Sequence, residues 1–117
     1  MKKPVTRTLE YLTDRGWLAG RCDRDVARIS HDLYGFADIA AVKRTNPGTL
    51  YIQCTSASNH AARRKKLQSL REAVLICVAS GNQVEVWSWK DNSDEPRREV
   101  MRPETWPAVT PQTETTP

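Results

Sequence analysis

Two strand-like runs separated by a short turn constrain the fold of this chain more than any other feature. The first, FADIAAVK, occupies residues 36–43, and the second, TLYIQCTS, occupies residues 49–56. Both runs are rich in apolar and β-branched residues, and the five residues between them include the turn-forming pair Pro47-Gly48. The pattern predicts a β-hairpin.

The alternation of side chains along a strand divides this hairpin into two faces. On the second strand, Gln53 and Thr55 fall on one face, and the apolar positions 50, 52 and 54 fall on the other. With the turn centred near Pro47, Asp38 is expected roughly opposite Thr55. An aspartate within an apolar strand is costly to bury unless a cation or hydrogen-bond donors compensate its charge. We therefore expect Asp38, Gln53 and Thr55 to share one polar face.

The other segments up to residue 90 predict a single α/β domain. A short helix is expected over 6–15, a strand over 17–22, and a helix from Ser58 to about Arg71, whereas the connector 23–32 has no clean period. The apolar runs 74–79 and 84–89 flank a short polar turn and predict a second hairpin. The expected fold class is α/β, with a mixed β-sheet flanked by helices in the order αβββαββ.

Composition separates the last 27 residues from this domain. The stretch from Asp91 onward holds five of the seven prolines and ends in the threonine-rich PQTETTP. For residues 91–107 we expect an extension in which 97–101 forms an edge strand. For residues 108–117 we expect a disordered tail, because so few apolar residues cannot offset the entropy of ordering.

The charges are also unevenly distributed, with a net charge of +7 over residues 1–90 and −3 over residues 91–117. A basic body attracts polyanions, so DNA or RNA is the expected partner. The basic run Arg63-Arg64-Lys65-Lys66, on the helix that follows the hairpin, is the expected phosphate contact.

Other classes of protein lack support in the sequence. The apolar runs are too short to span a membrane, and the start of the chain lacks the apolar stretch of a secretory signal, so we expect a cytoplasmic protein without a membrane partner. Three widely spaced cysteines and two histidines support neither a disulfide framework nor a zinc site. We expect the cysteines, together with Trp87 and Trp89, to be packing residues.

The order of motifs resembles the core of the PD-(D/E)XK nuclease superfamily. A helix is followed by GFAD at 35–38, by QCT at 53–55 on a second strand, and then by a basic helix. The segments 32–38 and 53–63 are also similar to those of small phage-type proteins. The resemblance covers roughly residues 5–90, and it implies a restriction-endonuclease-like core and a location in the host-cell cytoplasm.

The resemblance implies Mg²⁺-dependent or Mn²⁺-dependent hydrolysis of a phosphodiester bond, in a nuclease or resolvase-like protein. The acidic positions of the family match Glu10, Asp38 and Gln53, which are the expected metal ligands, and Asp38 is the most important of them. The lysine of the family motif falls on Thr55. This chain departs from the pattern twice, because Gln53 is an amide and Thr55 is a neutral hydroxyl.

A cation is needed to replace the missing lysine, because charge develops on the phosphate in the transition state. The basic helix offers His60, which can exchange a proton near neutral pH, and Lys65, which offers charge alone; Arg63 and Lys66 lie beside them.

Two further functions stay open on the sequence. Thr55 at the lysine position favours a nucleic-acid-binding or adaptor module that has lost catalysis and kept the fold. An edge strand at 97–101 also favours a protein-interaction domain that forms a homodimer. Asp38 itself has an alternative structural role, in which it accepts hydrogen bonds from the backbone or from hydroxyl groups such as those of Thr55 and Ser56.

Overall fold

A five-stranded mixed sheet forms the centre of the protein and separates one helix from two others. The computed structural model describes residues 2–26 and 29–107, apart from the side chains of 24–26, 29 and 30. In chain order the elements are α1 (Pro4–Asp14), β1 (Leu18–Arg21), β2 (Arg24–Val26), β3 (Ile29–His31), β4 (Ile39–Lys43), β5 (Asn46–Ser56), α2 (His60–Ser69), α3 (Arg71–Ala79), β6 (Gln83–Trp89) and β7 (Arg97–Val100). Short 3-10 turns cover Ala57–Asn59 and Pro103–Thr105.

The strands of the main sheet lie in the order β1-β4-β5-β6-β7. Neighbours are antiparallel except for β5 and β6, which are parallel because α2 and α3 carry the chain back across one face. The strands β2 and β3 form a separate two-stranded sheet within the connector that had no predicted structure. The expected α/β class and the expected hairpin, β4 with β5, are therefore confirmed.

The register of this hairpin differs from the expected one by two residues. Ile39 pairs with Ile52, and Lys43 pairs with Asn46 across a two-residue turn, with a bulge between positions 41 and 43. The turn therefore comes earlier than Pro47, which lies within β5. As a result Asp38 lies beside Gln53, and the expectation that it faces Thr55 is wrong.

The segment 74–79 is a helix, so the predicted second hairpin is wrong. In α3, Val74 and Cys77 are buried three residues apart while Ile76 between them is exposed, which is the pattern of a helix packed on one side. A short apolar run does not distinguish a buried strand from a helix by its period. The strand β6 pairs with β5 and β7 instead.

Each face of the sheet has its own apolar core. On the α1 side, Leu12 packs with Ile39, Ile52, Trp87 and Trp89. On the α2 and α3 side, the core is formed by Phe36, Leu67, Val74, Cys77, Val84 and Val86. Both tryptophans are buried, as expected of packing residues, and the indole N–H of Trp89 donates to Thr8 Oγ1 at 2.9 Å.

The chain continues as part of the same fold beyond residue 90. The strand β7 forms an edge of the sheet, and Met101 and Pro103 after it are buried. The predicted tail, 108–117, lies outside the described residues. The longest described helix, α1, has 11 residues, and none of the helices described is long and apolar enough to cross a membrane.

Alanine substitutions at Gly48 and Gly81 test the parallel pairing of β5 with β6. A Cβ at Gly48 would lie 2.0 Å from the carbonyl oxygen of Gly81, whereas a Cβ at Gly81 would meet no atom within 4 Å. Both have positive φ, so replacement by alanine costs about 1–2 kcal/mol at either position. We expect Gly48→Ala to cost a further ~1–3 kcal/mol because the strands must move apart. Urea denaturation followed by tryptophan fluorescence measures both values, and equal losses would contradict the pairing.

Candidate metal centre

A tight loop before β4 brings two aspartates together. The N–H of Gly35 donates to the carbonyl of Asp32 at 3.0 Å, and the N–H of Ala37 donates to that of Leu33 at 2.8 Å. The backbone therefore reverses between Asp32 and Asp38. The reversal needs positive φ at two successive residues, 58° at Tyr34 and 85° at Gly35. Glycine adopts this conformation freely, but for tyrosine it is strained.

Three carboxylates converge at this loop. One oxygen each from Asp23, Asp32 and Asp38 lies within 4.8 Å of the other two. Asp23 comes from the connector after β1, and the neighbouring N–H of Cys22 donates to the carbonyl of Asp38 at 2.9 Å, which ties the connector to β4. We call these three residues the aspartate cluster.

Asp38 is the most buried member of the aspartate cluster, with 6% of its surface exposed. Its Oδ2 accepts hydrogen bonds from Gln53 Nε2 at 2.7 Å and from the N–H of Cys54 at 2.8 Å. Burial raises the pKa of Asp38 to about 7; the Cys54 N–H opposes the shift and the Asp32 carboxylate adds to it. Asp38 therefore has the alternative structural role in part, because it accepts hydrogen bonds from Gln53 and Cys54.

Two cations border the aspartate cluster and reduce its charge. Arg21 donates two hydrogen bonds to Asp23, each at 3.0 Å, and they lower the pKa of that carboxyl. Lys66 Nζ lies 2.9 Å from Asp32 Oδ2. These partners bind the outer two carboxylates, whereas Asp38 accepts from the neutral donors Gln53 and Cys54 and shares a hydrogen bond with Asp32.

The donor set fits a hard divalent cation such as Mg²⁺ or Mn²⁺. All the charged donors are carboxylate oxygens, which these ions prefer, and Cys22 is the nearby thiol whose pKa burial raises to about 11, far from the thiolate form. In addition, the amide oxygen Oε1 of Gln53 is buried without a hydrogen-bond partner, although the amide nitrogen of the same group bonds Asp38. A buried acceptor left unpaired, on a side chain that already contacts Asp38, becomes available as a metal ligand if the amide group turns over.

Glu10, the third expected ligand, does not reach this site. It lies on α1, on the opposite face of the sheet, where its exposed carboxylate pairs with Lys2 at 2.9 Å. The buried residues of α1 are Thr8 and Leu12, and Glu10 lies on the side of the helix that faces solvent. The assignment of Glu10 as a metal ligand is therefore wrong.

His60 is buried, and both of its ring nitrogens have partners inside the fold. It is 1% exposed, with Nε2 at 2.8 Å from Glu99 Oε1 and Nδ1 at 2.7 Å from Ser88 Oγ. Because a carboxylate only accepts, Nε2 donates to Glu99, and in the neutral ring Nδ1 accepts from Ser88. Thr55 pairs with Ser88 across β5 and β6 and lies at this histidine network.

The basic run on α2 is divided by its contacts. Arg64 Nε donates to Glu99 at 2.9 Å. Burial alone would raise the pKa of Glu99, but the hydrogen bonds from Arg64 and His60 outweigh burial and lower that pKa. Lys66 faces the aspartate cluster, and Lys65 is exposed. Arg63 and Lys65 form no ion pair with any residue that the structure describes, so they are the two members left for an external anion.

The sequence reasoning missed Asp23 and Asp32. Asp32 opens the segment 32–38 on which the resemblance to phage-type proteins was based, so that segment carried a signal for its second aspartate. Asp23 lies in the connector without periodicity, and its sequence context gave no comparable signal. Searches of protein-family models, curated proteins and solved structures found no match to this chain.

The raised pKa of Asp38 predicts how the metal-free protein responds to pH. The folded pKa lies above the unfolded value of 3.8, so the contribution of Asp38 to stability is fully present below 3.8 and is lost as the pH rises through about 7. An asparagine at this position does not ionise, so the Asp38→Asn variant does not lose this stability as the pH rises. We expect its melting temperature in EDTA to exceed that of the wild type by about 5 °C near pH 8 and by much less near pH 5. If the melting temperatures of the two proteins changed with pH in the same way, the result would contradict the burial of Asp38 beside other carboxylates.

The histidine network predicts a structural role for His60. His60→Ala leaves Ser88 without its side-chain partner and Glu99 with Arg64 alone, and it opens space in the fold, so we expect a loss of about 2–4 kcal/mol in the free energy of unfolding. Gln68→Ala, at an exposed position on the same helix, is the matched control and should change stability by less than ~0.5 kcal/mol. Urea denaturation measures both, and a His60 variant as stable as the control would contradict the role.

Proposed function

We propose that this protein is a metal-dependent phosphodiesterase that acts on nucleic acid. The observation that carries this proposal is a group of three carboxylates next to Gln53, whose amide oxygen is buried without a partner, because carboxylate and amide oxygens are the ligands that a hard divalent cation takes. Asp23, Asp32, Asp38 and Gln53 would hold Mg²⁺ or Mn²⁺. The bound ion lowers the pKa of a water molecule and stabilises charge on the phosphate.

The order of elements supports the proposal. Apart from the small β2–β3 sheet, the chain runs through α1, the antiparallel strands β1, β4 and β5, then α2 and α3, the parallel strand β6 and the edge strand β7. A helix, three antiparallel strands, helices and a parallel strand are consistent with the restriction-endonuclease-like core that the resemblance implies, with Asp38 just before β4 and Gln53 on β5. The aspartate cluster lies at the start of β4, beside α2.

Lys66 is our candidate for the cation that Thr55 does not supply. Its ammonium group is 2.9 Å from Asp32, and its side chain is 33% exposed, so the group reaches both the cluster and solvent. A positive charge at this position stabilises the negative charge that develops on a phosphate during hydrolysis. Arg63 and Lys65 on the same helix would bind phosphates farther along the strand.

A second candidate is a binding or adaptor module of the same fold. Thr55 is the observation that favours it, because a buried neutral hydroxyl stands where the nuclease motif has lysine. Such a module would bind nucleic acid with a steep dependence on salt and would leave it intact in the presence of Mg²⁺ or Mn²⁺.

A cleavage assay with matched lysine variants separates these candidates. Labelled DNA and RNA, single-stranded and double-stranded, are incubated with wild type, Asp38→Ala, Lys66→Ala and Lys65→Ala in Mg²⁺, in Mn²⁺ and in EDTA. We expect metal-dependent cleavage by the wild type, background cleavage by Asp38→Ala, and a rate lowered by roughly 100-fold in Lys66→Ala. Lys65→Ala, on the same helix, removes a phosphate contact away from the cluster and should lower the rate by much less than Lys66→Ala.

Three results would count against the proposal. Intact substrates with the wild type in both metals would reject hydrolysis and favour the binding module. Undiminished cleavage by Asp38→Ala would place the activity elsewhere, and equal losses in the two lysine variants would remove the special role of Lys66. Circular dichroism of each variant confirms that it is folded.

A further inference from the structure

A second feature of the loop between Asp32 and Asp38 is an exposed aromatic ring. Tyr34 lies at the tip of the loop between Asp32 and Asp38, and 55% of its surface is exposed. Its φ of 58° places a bulky residue in a left-handed conformation, which costs on the order of 1–3 kcal/mol. Neighbouring rings hold it, because Tyr51 makes an edge contact with it at a centroid distance of 5.7 Å.

A cavity of about 310 Å³ opens beside this ring. It lies between β5 and α3, and its lining includes Tyr34, Tyr51, Ala73, Ile76, Ser80 and Asn82. Every one of these side chains is uncharged, and apolar and aromatic groups predominate. Asn82 accepts from the N–H of Thr49 through Oδ1 at 2.9 Å, which leaves its amide nitrogen as a donor. The cavity is therefore suited to a flat, neutral group with polar edges.

The position of the cavity connects it with the aspartate cluster. Tyr34 is two residues from Asp32, and Tyr51 is two residues from Gln53 on the same face of β5, a separation of about 7 Å along a strand. The cations of α2, Lys66 and the unpaired Arg63 and Lys65, add positive charge beside the cluster. A phosphate site and a neutral aromatic site thus lie next to each other on one face of the sheet.

The size of the exposed apolar surface favours a small group over a protein partner. Tyr34 and Ile76 are the two large apolar side chains exposed at this cavity among the residues described. A stable protein interface buries more than about 1,000 Å², which two side chains do not provide. An unpaired nucleobase matches the observations, since every base has a flat face that stacks on an aromatic ring and polar edges that accept hydrogen bonds.

We propose that this cavity binds an unpaired nucleobase, stacked on Tyr34, from the same strand whose phosphate lies at the aspartate cluster. The inference rests on the nucleic-acid part of the proposed function and adds a substrate class to it. The protein would favour single strands, or strands with an unpaired base, over continuous duplex, in which the bases are already stacked.

The test uses a short single-stranded DNA with one 2-aminopurine, whose fluorescence is quenched by stacking. The full-length protein is titrated in EDTA, so that binding is measured without cleavage. We expect quenching with the wild type and with Tyr34→Phe, which keeps the ring. Tyr34→Ala should lose the quenching and bind about ten-fold more weakly. Leu18→Ala removes an exposed apolar side chain from β1 and serves as the control, with wild-type behaviour expected.

Several results would overturn the inference. Quenching and affinity unchanged in Tyr34→Ala, binding of duplex with no binding of single strands, or binding without quenching would each reject the base site. Self-association of the wild type that is lost in Tyr34→Ala, seen by sedimentation, would assign the surface to a protein partner.

The test is separate from that of the metal site. Quenching is measured in EDTA, where no metal is bound, and cleavage is measured in Mg²⁺ or Mn²⁺, so the two readouts are independent. Metal-dependent cleavage with no effect of Tyr34→Ala on binding would reject the base site alone. Tyr34-dependent quenching without cleavage by the wild type would reject the hydrolysis alone.

Discussion

The position of Asp38 depends on hydrogen bonds that hold it from two sides. Its N–H donates to the carbonyl of Ile52 on β5, and its carbonyl accepts from the N–H of Cys22 after β1, both at 2.9 Å. Its carboxylate accepts from the backbone of Cys54 at the same time. The aspartate is therefore fixed at the point where β1, β4 and β5 meet, and neither the backbone nor the side chain can turn away from its neighbours.

Because Asp38 is fixed in this position, the groups around it are held there at a cost in free energy. Asp23 and Asp32 bring two more carboxylates to a group that is already buried, the loop between 32 and 38 carries a strained Tyr34, and Gln53 keeps an unpaired amide oxygen. Strain and unsatisfied polar groups persist where a binding partner compensates for them. A divalent cation at the cluster would relieve the charge repulsion and bond the amide oxygen.

The sequence predicted the part of this site that depends on local patterns. Two β-prone runs and a turn gave the hairpin, and strand alternation placed Asp38 and Gln53 on one face, where they are hydrogen-bonded. The register was wrong because the turn formed at positions 44 and 45, with a bulge nearby, and not around Pro47. The segment 74–79 was wrong because a short apolar run fits a strand and a buried helix equally well.

The remaining part depends on contacts between distant segments. Asp23 follows β1, outside any clear pattern, and only the pairing of β1 with β4 brings it to Asp38. Glu10 was matched by its place in a motif, but the orientation of α1 on the sheet turns it to solvent. In the same way, His60 was a candidate because it lies on the basic helix and can exchange a proton near neutral pH, and in the fold Glu99 on β7 binds it. A single sequence contains none of these long-range contacts directly.

The central claim is that the aspartate cluster binds a divalent cation, and anomalous diffraction from crystals grown with Mn²⁺ tests it most directly. We expect an anomalous peak about 2.2 Å from oxygens of Asp23, Asp32 and Asp38, with Gln53 Oε1 turned towards the ion. A map without a peak at the cluster, with Lys66 still bound to Asp32, would contradict the account.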